Sequence, residues 1–211
     1  GTQSIGTLYF DGQSGAQTLS GSGAMTNLAT VSVENAGTGV SSSIVFKVRR
    51  VNLFRGTLNP TNITIGNPSA LTLENPVVQI GGATTTTPAG SFSTLPAYDV
   101  AEGEIAILYS TMQGGPIMGS YNEIGTGSLT LAQLLLNDAD GLIIPADRTV
   151  SIGGTMAGTL TMTLGSINLS GGTLTLGNSA AAPGTLTWTS GYFTNGTFTR
   201  WYPTTGLPTT A

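Results

Sequence analysis

The sequence has no cysteine and no histidine, and only 8% of its 211 residues are charged. Without cysteine there is neither a disulfide framework nor a zinc–thiolate site. Without histidine, His-based triads, His general bases and His metal ligands are excluded together. Lys47 is the sole lysine, and so few basic residues leave few trypsin-type cleavage sites, which suits a durable, exposed protein. The net charge of −4 and the pI near 4.5 lack the basic footprint that nucleic-acid phosphates require. No run approaches the roughly 18 apolar residues of a membrane-spanning helix. Residues 1–20 show neither the charged nor the apolar region of a signal peptide. A first residue other than Met is expected of a processed chain or an internal piece of a longer one.

What is present is glycine, 31 residues of it, with abundant Thr and Ser and 39% hydrophobic residues. The stretch from Leu142 to Asn178 shows how they are arranged. Thr159, Thr161 and Thr163 alternate with Leu160, Met162 and Leu164, followed by Ile167-Asn168-Leu169 and Leu174-Thr175-Leu176. Period-2 alternation marks half-buried strands, and a Gly or Asn stop closes each one. These stops recur too often for hairpins with long arms, so the pattern predicts rungs of a stacked β architecture. Leu129 to Leu136 (LTLAQLLL) is the one helix candidate, and it also suits a buried strand.

An internal resemblance supports stacking. Val51-Asn52-Leu53-Phe54-Arg55-Gly56-Thr57-Leu58 matches Ile167-Asn168-Leu169-Ser170-Gly171-Gly172-Thr173-Leu174. Each is soon closed by a similar run, Ile63-Thr64-Ile65-Gly66-Asn67 and Leu174-Thr175-Leu176-Gly177-Asn178. Repeats of this kind predict a solenoid in which each unit buries its apolar face against its neighbour. The expected organisation is a first β-repeat unit over 1–67, an irregular Pro-rich β insertion packed on the stack over 68–128, and a second unit over 129–211 with an aromatic C-terminal part. Pro68, Pro76, Pro88, Pro96 and Pro116 mark the insertion. The fold expected is an all-β parallel β-helix or β-solenoid. A β-sandwich with Greek-key links is the alternative, since short strands at this spacing fit it too.

The order LATVSVENAGTGV, VNLFRGTLNPTNITIGN, VQIGGA, GSFSTLPAYDV, IAILYS, GLIIPADRTVSIGGTMAGTLTMTLGSINLSGGTLTLGN and GTLTWTSGYFTNGTFTRWYP resembles the repeat regions of large cell-surface, adhesin-like proteins of Bacteroidetes-type bacteria, exported by the type IX secretion route. The resemblance covers nearly the whole chain. It implies an extracellular or surface-bound protein of stacked β rungs with structural or adhesive work. The C-terminal sorting domain of such proteins is missing from this sequence. The family carries no defined catalytic residues to transfer.

Four groups are candidates for chemistry. Asp138 and Asp140 in Asn137-Asp138-Ala139-Asp140-Gly141 look like part of a calcium loop, but the bidentate Glu of a full loop is absent and a polar turn is the plainer reading. Lys47, Arg49, Arg50 and Arg55 gather four of the six basic residues. They read as a polyanion contact, as half of a subunit interface with Glu102, Glu104 and Glu123 as acidic counterparts, or as charge guarding a strand edge. Trp188, Tyr192, Phe193, Phe198, Trp201 and Tyr202 form an aromatic group for end capping, subunit contact or sugar stacking. Asp138, Asp140 and Asp147 are the carboxylates a glycan-cleaving β-helix would use. Thr159-Leu160-Thr161 and Thr185-Leu186-Thr187 raise an ice-binding face, though the rungs between them read as irregular.

The expectation is a non-enzymatic structural protein at the outer cell surface, without cofactor or membrane insertion, polymerising with itself by end-to-end β stacking. A stalk or binding module of a larger adhesin, contacting glycans or a neighbouring cell, comes second. A polysaccharide-active β-helix enzyme comes third.

Overall fold

The computed structural model describes residues 6–22, 25–68, 75–82, 89–99, 104–112 and 114–205. It contains no helix among them and forms a β-solenoid of about 7 turns. Each turn contributes one segment to each of three faces, and every pairing between strands is parallel. Parallel neighbours need a long return path, and here the return is made by the strands of the other two faces. The β-sandwich alternative is thereby set aside: Greek-key links need antiparallel strands, whereas the antiparallel contacts are the isolated bridges Gly153–Ala157 and Ser179–Ala182.

Faces one and two share three long strands, Met25–Glu34, Phe46–Arg55 and Gly127–Asn137, whose first half lies on face one and second half on face two. Face one is completed by Ile63–Ile65, Ala97–Tyr98, Arg148–Ile152, Thr173–Leu176 and Thr197–Arg200. Face two is completed by Gly6–Phe10, Val77–Ile80, Ile105–Ser110, Thr159–Leu164 and Thr185–Trp188. Face three holds Ala16–Leu19, Gly39–Ser42, Thr57–Leu58, Ser91–Phe92, Leu142–Ile143, Ile167–Asn168 and Phe193–Thr194. A parallel bridge from Ile117 to Ile143 fills the level between Ser91–Phe92 and Leu142–Ile143.

The core is a set of side-chain columns down the axis. On face two, Phe10, Val33, Leu53, Ile80, Tyr109, Leu136, Met162 and Trp188 stand one above another. Beside them run Leu8, Val31, Val51, Val78, Ile107, Leu134, Leu160 and Leu186. The interior members are fully buried, and each such side chain contributes about 1.5–3 kcal/mol relative to exposure. An isolated turn has no neighbour to bury against, so stability comes from stacking.

Leu129 to Leu136 lies within a strand: Leu129 and Thr130 pair with Val150 and Ser151 one turn on, while Leu131 and Gln133 to Leu136 pair with turns on both sides. Within 68–128, Val77–Ile80, Ser91–Phe92, Ala97–Tyr98 and Ile105–Ser110 pair with the turns before or after them. The matching runs at 51–58 and 167–174 fall on different faces: Val51 and Leu53 are on face two, Ile167–Asn168 on face three. Ile63–Ile65 and Thr173–Leu176 share face one. The two runs look alike because any corner here needs the same order of apolar, polar, apolar and tight turn. The strand expected at Leu71 to Leu73 and the Thr84 to Thr87 run lie outside the described residues.

Candidate functional site

The last level of the stack gathers the aromatic group foreseen in the sequence. Each face there ends in an aromatic ring where the levels below carry aliphatics. Trp188 follows Leu136 and Met162, Phe193 follows Leu142 and Ile167, and Phe198 follows Val150 and Leu174. Phe193 and Phe198 stack across the axis with centroids 4.1 Å apart. Trp188 occupies a core position yet is 63% exposed, because no described residue covers it. Its indole N–H donates to the Gly191 carbonyl at 3.1 Å. Arg200 takes the column position of Ile152 and Leu176, with its guanidinium 5.0 Å from the Tyr202 ring. Trp201 extends face one through its N–H to the Leu176 carbonyl at 3.0 Å.

The first level mirrors this end. Leu8, Leu19 and Met25 are partly buried against the core, and Tyr9 is exposed. Gln17 stands at the column position of Val40. Its Oε1 accepts from the Gly12 N–H at 3.1 Å and from Asn35 Nδ2 at 2.7 Å. Among the described residues, the terminal strands at both ends pair on one side only.

The basic residues sit away from these ends, on the strand Phe46–Arg55. Lys47 pairs with Asp99 at 2.5 Å. Arg50 donates to Asn52 at 2.7 Å and to Gln79 at 2.6 Å, and burial, then the neighbouring Arg49 charge, lowers its pKa. Arg49 also has a partner. Arg55 borders a surface depression with Asn35, Thr57 and Ser91. The acidic counterparts expected for this group lie elsewhere. Glu104 accepts from the Thr155 N–H at 3.1 Å, Glu123 is inside the solenoid, and Glu102 is outside the described residues. Asp99 was missed because its 52-residue separation from Lys47 collapses only when the coil forms.

Asp138 and Asp140 clasp a corner. Asp138 is buried and accepts from the N–H groups of Met112 at 2.6 Å and Asp140 at 3.0 Å. Asp140 accepts from Gly114 N–H at 2.9 Å. Burial raises the Asp138 pKa against the lowering effect of those bonds. Asp147 is exposed in the turn between Leu142–Ile143 and Arg148–Ile152. No group of three or more metal-binding side chains occurs among the described residues.

A buried polar cluster, unforeseen in the sequence, interrupts the core. Glu123 is fully buried and accepts from the Tyr109 hydroxyl at 2.5 Å, Gly119 N–H at 2.5 Å and Tyr121 N–H at 3.1 Å. The Tyr98 hydroxyl donates to the Glu123 carbonyl. Arg148 lies buried nearby and donates to the Gly125 carbonyl, while its Nε has no partner. Burial raises the Glu123 pKa, and burial together with the Glu123 charge raises those of Tyr98 and Tyr109.

Outward on face one, Ser128 and Thr130, Thr149 and Ser151, Thr173 and Thr175, and Thr197 and Thr199 stand in register over four levels. Thr159 and Thr161 stand instead on face two, in register with Thr185 and Thr187 over two levels, and the rung Thr173–Leu176 between them in the chain belongs to face one. Neighbouring hydroxyls are about 4.8 Å apart across strands and about 6.6 Å along one. Comparison with protein-family models, with curated proteins and with solved structures returns no match.

Proposed function

We propose that this chain is a structural subunit of an extracellular fibre or surface layer, assembled by end-to-end β stacking. The observation that carries the reading is the pair of open ends. Among the described residues, each presents three strand edges paired on one side only, around apolar columns that stop at half-covered side chains. Exposed edges of this kind template further pairing, and a heterologous contact that does not close produces a filament. The scarcity of Lys and Arg and the resemblance to bacterial surface repeats support a place outside the cell. No described helix is long and apolar enough to cross a membrane. Negative-stain microscopy of the purified chain at increasing concentration is expected to show unbranched filaments; dispersed monomers throughout would overturn the proposal.

The hydroxyl array favours a second reading, a binding module of a larger adhesin. A flat, regular, uncharged face suits the repeating hydroxyls of an ordered polysaccharide. Sedimentation with cellulose or chitin powder is expected to retain the chain in this case. Thr173→Val with Thr175→Val should reduce retention at least tenfold, and equal retention of the variant would dismiss it.

A further inference from the structure

The first and last described strands stand on neighbouring faces of the coil. The coil runs from face one to face two to face three. The first described strand, Gly6–Phe10, lies on face two, and Ala16–Leu19 follows on face three. The last complete turn ends with Phe193–Thr194, and Thr197–Arg200 then adds one segment on face one alone. Among the described residues each face carries eight levels.

We infer that a second copy docks on the C-terminal end as an in-register continuation of the coil, with Gly6–Phe10 of one copy pairing in parallel with Thr185–Trp188 of the next. The inference rests on the filament reading above and specifies its joint. On face two the register shifts fall at strand ends, and the two core columns hold their register through all eight described levels, so they extrapolate to the next copy. Leu8 falls on Leu186, Phe10 on Trp188, and outward Tyr9 on Thr187. The core columns continue across the joint, which covers the exposed Trp188 ring. The charges agree as well. Among the described residues, Asp11 is the only charge in 6–22 and Arg200 the only one in 173–205, so the mating ends carry opposite sign. Eight levels at about 4.8 Å give an axial repeat of about 38 Å per copy.

Cysteine pairs test the register in a chain that has no cysteine of its own. Tyr9 and Thr187 are both exposed, so Tyr9→Cys with Thr187→Cys leaves the fold intact. In-register neighbours on parallel strands lie about 5 Å apart, inside the range a disulfide spans. Oxidation of the assembled double variant is expected to give a ladder of multiples of 21.3 kDa on a non-reducing gel. Thr7→Cys with Thr187→Cys, displaced by two residues, should give less than a tenth of that cross-linking. Tyr9→Cys alone should give none, and dimers from it would indicate a head-to-head contact and overturn the inference. Filaments seen by microscopy without the Tyr9–Thr187 ladder would overturn this joint while leaving the filament reading in place. A lack of filaments with either protein would sink both.

Discussion

Gly165→Ala is expected to destabilise the fold by about 3 kcal/mol, while Gly171→Ala costs about half as much. Both glycines have left-handed backbone, with φ of +90° and +87°, a conformation that costs an L-residue about 1–2 kcal/mol. They differ in what a side chain would meet. At Gly171 the nearest atom to a Cβ is 3.8 Å away, on Ala146. At Gly165 the Cβ would lie 1.8 Å from the Asp138 carbonyl oxygen. Backbone cannot rotate aside as a side chain can. Gly191 makes the same approach to the Gly165 carbonyl one level on, so a shift at this corner propagates along the stack. Thermal unfolding should place the Gly165 variant roughly 6–12 °C below wild type. Equal losses for the two variants would show that the backbone approach at this corner carries no weight.

Glu123→Ala is expected to cost about 3–5 kcal/mol, because it leaves the Tyr109 hydroxyl and the Gly119 and Tyr121 N–H groups buried without an acceptor. Glu123→Gln keeps an acceptor oxygen and should cost less. The same carboxyl sets a pH dependence. Burial raises its folded-state pKa above the ordinary 4.5, so the folded form holds its proton more tightly than the unfolded chain does. The stability it contributes is full below the ordinary value and is lost as pH rises through the raised one. Asp138, also raised by burial, acts in the same direction from 3.8. Tyr98, Tyr109 and Tyr121 face the cluster with pKa values raised by burial, and stay protonated over this range; Arg148 completes the surroundings. Urea midpoints for wild type should therefore rise as pH falls from 8 toward 4.5, and Glu123→Gln should flatten most of that slope. A wild-type midpoint that instead climbs with pH relative to Glu123→Gln would contradict the assignment.

The rungs were legible because their signal is local. Thr159 to Leu164 alternates with period 2, and a strand half in a core and half in water has that period by geometry. The aromatic group was legible as a cluster, but its place at one end of the stack was not. Trp188 has the sequence signature of a core residue and the exposure of a surface one. That contradiction appears only because no described residue stands in the level above it. The basic run read as one patch, yet its members divide between two faces and bind Asp99, Asn52 and Gln79, partners set by which level each turn reaches.

The sequence by itself determined that this is an all-β stack of short strands, without cysteine or histidine chemistry, because alternation and turn residues act within a few positions. Phase was decided only by the tertiary structure. Look-alike runs at 51–58 and 167–174 came to lie on different faces, and outward Ser and Thr residues of four turns came into register on face one. Tyr98, Tyr109 and Glu123 met inside the coil. The reason is that corner loops vary freely in length while strand pairing does not. Spacing along the chain therefore carries little information about position around the axis, and hydrogen bonding between turns restores it.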